Sequence, residues 1–166
     1  MSIEARERLA HQQSELVFAL AGQRPPPAAF DPEQVLAAAR SLAVKRRRSV
    51  ARAWPGLAAS LGERFAAYFD DYAGAIPLPS RGGPLADGRA FLRWLPTSEQ
   101  SDAIRIEVLT VDLRFVSTAA DLRPRLGPAL KALVLRRARH LVLGLRLPGF
   151  GIYRWRLPFG IRAALR

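Results

Sequence analysis

The sequence is poor in metal-binding and redox-active side chains. Its 166 residues include no cysteine, one methionine and two histidines, His11 and His140. Without cysteine, the chain has neither disulfides nor thiolate metal sites. Two histidines are too few for a histidine metal site made by this chain alone. We therefore predict a protein with no metal or other cofactor of its own.

Long hydrophobic runs are absent as well. No apolar stretch approaches the roughly 18 residues that a membrane-spanning helix needs. The N-terminal residues MSIEARERLAHQQ are charged and lack the apolar core of a signal peptide. We therefore expect a cytoplasmic protein without a membrane partner.

Acidic residues are scarce relative to basic ones. The chain has 14 Asp and Glu against 26 Lys and Arg, which gives a formal net charge of +12. Such a surface favours an acidic partner, whether a nucleic acid, an acidic peptide or an acidic protein face. A genome biased toward arginine and alanine would produce the same composition, so the charge alone does not choose among these partners.

The N-terminal part of the chain has the pattern of helices. The apolar spacing of residues 3–21 predicts a first helix, and Asp31 followed by Pro32 is typical of the start of a second. Residues 45–72 are basic at their start and aromatic at their end, and their apolar spacing predicts a helical hairpin in the core. Arg47 falls on the apolar stripe, so we expect it to lie at the core edge or to pair with Asp70 or Asp71. The aromatic side chains predicted to face the core are Trp54, Phe65, Tyr72, Phe91 and Trp94.

The sequence after residue 96 fits two interpretations. Thr97 and Gln100 form a capping-box pair, which is typical of a helix start. The residues that follow keep helical spacing, yet Val111 and Leu113 also alternate with polar neighbours as in a strand. We favour a helix up to about residue 115.

The character of the chain changes after Pro128. Short, apolar, alternating segments within residues 130–157, with a turn signal at residues 148–151, predict a three-stranded antiparallel meander. Tyr153 and Trp155 alternate with arginines, so we expect the aromatic face to pack on the helices and the arginine-bearing face to see solvent. The last strand would be an edge with open backbone donors and acceptors.

These patterns together predict an α+β fold, with an N-terminal helical bundle followed by a small C-terminal antiparallel β-meander. The predicted domains are a helical domain over residues 1–96, a linking helix and connector over 97–127, and the sheet with the C-terminal tail over 128–166.

No catalytic constellation stands out. The glycine pair within residues 81–84 is followed by proline where a phosphate loop would need a backbone donor. Asp70 and Asp71 are adjacent, so on a helix they point about 100° apart and do not share a site. We expect a chain that is not an enzyme by itself. Two functions stay open: nucleic-acid binding through basic residues, or binding of an extended acidic peptide on the sheet edge.

Several packing motifs of the chain together resemble those of a known family. They are His11-Gln12-Gln13, Lys45-Arg46 before Val50, Trp54-Pro55, Leu61-Gly62, Phe65, Tyr72 and Leu145-Arg146-Leu147-Pro148-Gly149. These motifs look like those of the partner proteins of multinuclear non-heme iron-dependent oxidases, including the partners in methanobactin and related peptide-modification pathways. The resemblance covers about residues 5–95, and more loosely 128–158. The helical domain of that family has also carried a DNA-binding label.

The resemblance implies a non-catalytic partner subunit. In that family the oxidase holds the iron and oxidises a ribosomally made precursor peptide, while the partner binds the leader of the peptide and docks on the oxidase. We therefore expect leader binding on the polar face and edge of the sheet, and docking through the basic segment of the second helix. The expected peptide-binding residues are Val142, Gly144, Arg146, Arg154 and Arg156, and the expected docking residues are Arg46, Arg48 and Arg52.

Overall fold

The computed structural model describes residues 3–22, 24–79, 81–117, 122–135 and 138–158. Within them, helices precede two small antiparallel sheets, so the predicted α+β fold is confirmed. The helices are α1 (Ile3–Leu20), α2 (Pro32–Ala53), α3 (Pro55–Leu61), α4 (Arg64–Ala75), α5 (Gly83–Trp94) and α6 (Asp102–Arg114), with a 3-10 turn at Thr97–Glu99. The strands are β1 (Phe115–Ser117), β2 (Leu122–Pro124), β3 (Ala129–Leu135), β4 (His140–Leu147) and β5 (Gly151–Pro158).

The chain forms two compact units. The first comprises Met1–Ala53 and Glu63–Leu78 and contains α1, α2 and α4. The second comprises Trp54–Gly62 and Pro79–Arg166 and contains α3, α5, α6 and both sheets. The two units are defined by packing. The three predicted domains, with boundaries at residues 96 and 127, were defined by sequence composition, and they stay a prediction.

The first unit contains the packing of α2 against α4. The Asp31 carboxylate accepts the backbone N–H of Glu33 at 2.9 Å and so caps the start of α2. The core consists of buried apolar and aromatic side chains, with the Phe69 and Tyr72 rings edge to face at 5.4 Å. Arg47 forms an ion pair with Asp70, which confirms the prediction for that residue.

The start of α3 in the second unit is stabilised by a distant carboxylate. Pro55 occupies the first turn, and the side chain of Trp54 before it makes no cap hydrogen bond. Instead, Glu107 of α6 accepts the backbone N–H groups of Gly56, at 3.0 Å, and Leu57, at 2.7 Å. These donors have no partner inside their own helix, so the carboxylate also complements the positive end of α3.

The start of α6 differs from the prediction. Thr97 and Gln100 do not form a capping box, because residues 97–99 make a 3-10 turn. The cap of α6 is Ser101, whose hydroxyl accepts the N–H of Ile104 at 3.3 Å. The helix then continues to residue 114, as expected. Trp94 at the end of α5 was predicted to face the core but is 38% exposed.

The C-terminal sheet is the predicted meander, with strand order β3-β4-β5 and antiparallel pairing throughout. Helix α6 packs on one face of it through Leu109 and Leu113, which meet Leu135 and Val142 in a buried cluster. The glycine at position 149, in the turn between β4 and β5, has a φ of 82°, which an L side chain rarely adopts. A second sheet, β1 with β2, was not predicted.

The predicted orientation of the meander is wrong. Arg154 and Arg156 of β5 stand opposite Gly144 and Val142 of β4, so all four lie on the face that carries α6. The face with Tyr153 and Trp155 is the opposite one, and both of these aromatic side chains are exposed. Alternation along a strand separates two sets of side chains, but it does not say which set a helix covers.

Candidate functional site

Strand β5 offers the open edge that the sequence predicts. Within the described part of the chain, β5 pairs only with β4, so the backbone groups on its other side face no strand. Strand β3 is the other edge, but its residues Leu133 and Leu135 pack against α6. The amine of Lys131 on β3 lies 3.2 Å from the Asp112 carboxylate of the same helix. Residues 153–158 of β5 are all exposed, whereas β3 alternates between exposed and partly buried residues, so the β5 edge is the better candidate for recognition.

The two sides of β5 differ in chemistry. On the α6 side, Arg154 and Arg156 are exposed although they share a face with buried residues of β4. The Arg154 guanidinium donates to the Thr110 hydroxyl at 3.2 Å, and its other N–H groups keep their donor capacity. On the opposite side, the Tyr153 and Trp155 rings stack, with centroids 6.3 Å apart. The edge thus presents a row of cations on one side and a row of aromatic and aliphatic groups on the other.

The other three residues expected to bind peptide have structural roles. Val142 is buried in the cluster with α6, and both it and Gly144 lie on the central strand. A Cβ at Gly144 would stand 2.6 Å from a methyl carbon of Leu113, so this glycine permits the close approach of α6. The Arg146 guanidinium donates to the Gly127 carbonyl oxygen at 2.8 Å and fastens the segment before β3. The expectation that Val142 and Gly144 face solvent is therefore wrong.

A signal for this packing was present in the sequence. A glycine inside a strand weakens the strand and often marks the place where another backbone or helix comes close. Read in that way, Gly144 points to the helix-covered face, and the register then assigns Arg154 and Arg156 to the same face.

The predicted docking residues on α2 divide into two groups. Arg46 stabilises the fold, since its guanidinium donates to the carbonyl oxygens of Ala73, at 3.4 Å, and Ile76, at 3.1 Å. It also lies over the Phe69 and Tyr72 rings, at 5.7 and 5.1 Å from their centroids. A cation at this place satisfies carbonyls at the end of α4 and complements the negative end of the helix dipole.

Arg48 and Arg52 lie on a different side of α2 and line a shallow groove. The groove has a volume of about 520 Å³ and is formed by Arg40, Ser41, Val44, Lys45, Arg48 and Arg52. Successive members at positions 41, 45, 48 and 52 share one helix face, because they are three or four residues apart. The groove contains four cations, Arg40, Lys45, Arg48 and Arg52. None of them has an ionic partner among the residues that the structure describes. We call this surface the α2 groove.

One partly buried ionic cluster was not predicted from the sequence. Asp112 of α6 receives the guanidinium of Arg89 from α5 at 3.3 Å and the amine of Lys131 from β3 at 3.2 Å. The three groups bind α5, α6 and the sheet to one another, and two cations around one partly buried carboxylate compensate its desolvation. Arg89, Asp112 and Lys131 are far apart in the sequence, so no short motif predicts that they form ion pairs.

Groups of three or more His, Asp or Glu side chains suited to a metal ion do not occur within the described segments. None of the helices described here is both long and apolar enough to cross a membrane.

Comparison with known proteins gives a match to a protein family. Residues 10–97 match the model of a family described as SCO6045-like, C-terminal domain. No curated protein and no solved structure matches the chain. The matched residues include α2 with its groove, α3, α4 and α5, whereas the sheet of β3, β4 and β5 lies beyond them. Since the match spans more than half of the 166 residues, the chain belongs to the SCO6045-like, C-terminal domain family.

Proposed function

We propose that this chain is a non-catalytic recognition subunit that binds an extended precursor peptide along the outer edge of β5. The observation that carries the proposal is an edge strand with open backbone groups and exposed side chains of two distinct kinds. A peptide that adds to such an edge gains main-chain hydrogen bonds, and its alternate side chains supply the specificity.

The pattern of β5 defines the peptide that would fit. Side chains of an added strand alternate between faces, and each lies beside a cross-strand neighbour about 5 Å away. Peptide residues beside Arg154 and Arg156 would be acidic, and those beside Tyr153, Trp155 and Leu157 would be apolar. The preferred ligand is therefore an extended segment in which acidic and apolar residues alternate.

The resemblance described above supplies the proposed partner. The chain would dock on an iron-dependent oxidase in the cytoplasm, and the oxidase would hold the iron and oxidise the bound peptide. The α2 groove supports docking on an acidic protein face, since its four cations stay exposed for an incoming partner. In this proposal the chain itself contributes binding and orientation only.

Reversal of charge on β5 tests the peptide site. We expect the double substitution Arg154→Glu and Arg156→Glu to weaken binding of an alternating acidic and apolar peptide by at least about tenfold, because attraction becomes repulsion at two positions. Fluorescence anisotropy with a labelled synthetic peptide measures this. A peptide with lysine in place of each acidic residue should regain affinity for the variant.

The matched control is Arg6→Glu with Arg8→Glu, which changes the net charge equally at two exposed arginines of α1, outside the sheet. The control should retain the affinity of the parent protein. Equal loss in both doubles would mean that the peptide responds to overall charge, and the β5 site would be withdrawn.

A second candidate function is nucleic-acid binding through the α2 groove, and the exposed cations of this groove favour it. Phosphate contacts release counterions, so the logarithm of the affinity would fall with the logarithm of salt at a slope of about −0.7 to −0.9 per contact. Four contacts by the four cations would give a slope of roughly −3 to −4.

Substitution of groove residues tests the α2 groove in both candidates, and affinity purification separates them. We expect Arg48→Glu with Arg52→Glu to weaken the complex with the oxidase, more strongly at low salt, because the contact is electrostatic. Affinity purification of the tagged protein from its native host, with nuclease treatment, isolates the complexes that it forms. Stoichiometric recovery of an iron-containing oxidase supports docking, whereas recovery of nuclease-sensitive material alone would favour nucleic-acid binding.

A further inference from the structure

The sheet face opposite α6 is uncharged and, apart from the Tyr153 hydroxyl, apolar. It consists of the alternate residues of 130–134 on β3, 141–147 on β4 and 153–157 on β5, and none of them carries a charge. We call this surface the open sheet face. Leu130 is 71% exposed and Trp155 47% exposed, and Val134, Tyr153 and Leu157 are exposed to a similar degree as Trp155.

The size of the open sheet face lies at the upper end of what a monomer ordinarily exposes to water. The exposed fractions of these side chains correspond to on the order of 600 Å² of apolar surface, taking aromatic side chains at about 150–250 Å² each. Contiguous apolar patches on soluble monomers rarely exceed a few hundred Å² unless they bind something.

We propose that the open sheet face binds the same face of a second copy of the chain. Two such faces would bury roughly 1,200 Å² in total, which reaches the lower end of the range for specific protein interfaces. Two twisted sheets pack face to face with their strands about 30° apart and their side chains interdigitated. A two-fold axis through this contact pairs each apolar group with another apolar group.

The distribution of charge supports a second copy as the occupant. Each chain carries a net charge of +12, so two copies repel, and the repulsion is weakest when they meet on a surface without charges. The open sheet face is such a surface, because the cations of the same sheet (Lys131, Arg146, Arg154 and Arg156) all lie on the other face. A partner chosen by charge complementarity would instead need charged groups on this face. The pairing leaves the β5 edge unpaired and does not depend on peptide binding.

The proposal predicts a concentration-dependent dimer that is tightened by salt, since salt screens the repulsion between like-charged chains. Sedimentation velocity between about 1 and 200 μM measures the equilibrium at low and high ionic strength, and we expect a dissociation constant in the micromolar range. Leu130→Glu should raise that constant at least about tenfold, because each dimer would then bury two charges in an apolar contact.

Leu126→Glu is the matched control. Leu126 is also highly exposed, at 89%, but it lies outside the strands, so the same substitution there should leave the dimer intact. Both changes are at exposed sites, and far-UV circular dichroism verifies that each variant keeps its fold.

Three results would overturn the proposal. The first is a parent chain that stays monomeric at all concentrations tested. The second is an equal effect of Leu126→Glu and Leu130→Glu. The third is a monomer that becomes a dimer only when residues 159–166 are removed, which would assign the open sheet face to the chain's own C-terminal residues.

Discussion

Trp54→Ala is expected to lower the free energy of unfolding by about 3–5 kcal/mol, the usual range for removal of a large buried aromatic side chain. Trp54 is fully buried. Its indole N–H donates to the carbonyl oxygen of Leu85 at 3.1 Å, and the ring lies against Gly88 of α5. The substitution removes the packing and leaves that carbonyl oxygen without its donor.

Urea denaturation followed by far-UV circular dichroism measures the loss. Trp54→Phe keeps most of the apolar volume and removes the N–H, so it should cost less, about 1–2 kcal/mol. Trp94→Ala is the matched control, because Trp94 is a half-exposed tryptophan at the end of α5. If Trp54→Ala were no more destabilising than Trp94→Ala, Trp54 would not anchor the second unit.

Gly88→Ala is expected to be strongly destabilising, although alanine is the better helix former. A glycine-to-alanine change inside an unhindered helix stabilises it by about 1 kcal/mol. Here the added Cβ would stand 2.2 Å from Cδ1 and 2.3 Å from Nε1 of Trp54, far inside van der Waals contact. The indole must move, and its hydrogen bond to Leu85 with it, so we expect a net loss of about 2–3 kcal/mol.

Two further variants test the cause of this loss. Gly74→Ala in α4 meets no atom within 4 Å and should be neutral or stabilising by up to about 1 kcal/mol. On the Trp54→Ala background, Gly88→Ala should lose most of its cost, because the clashing ring is absent. Additive effects in this double-mutant cycle would show that the ring contact is not responsible.

Several elements of the fold were predicted correctly from local sequence patterns. The start of α2 at Asp31 and Pro32, the extent of α6 and the three strands of the meander all follow from short-range spacing, and each is confirmed. The pairing of Arg47 with Asp70 was also predicted, because a cation on an apolar stripe needs a nearby carboxylate. Such features depend on neighbours a few residues away or, for Arg47, on a helix that follows soon in the chain.

The features missed by sequence reasoning depend on distant residues. The cap of α3 is Glu107, some fifty residues further along the chain, and no local sequence motif predicts this contact. Asp112 likewise forms ion pairs with residues distant in the sequence, on α5 and β3. The Thr97 and Gln100 pair failed as a helix start because Ser101 provides the cap instead.

The candidate site shows the same division. The sequence alone determined that a strand with alternating arginine and aromatic residues ends a small sheet and that the chain is strongly basic, since period-two alternation and net charge are local and additive properties. The tertiary structure decided which face of that sheet α6 covers. Gly144 allows the helix to approach on the arginine side, and the packing of Leu109 and Leu113 there leaves the aromatic side open. Alternation along β4 and β5 does not say which face a helix covers, so the packing of α6 decided it, although Gly144 was one signal for it in the sequence.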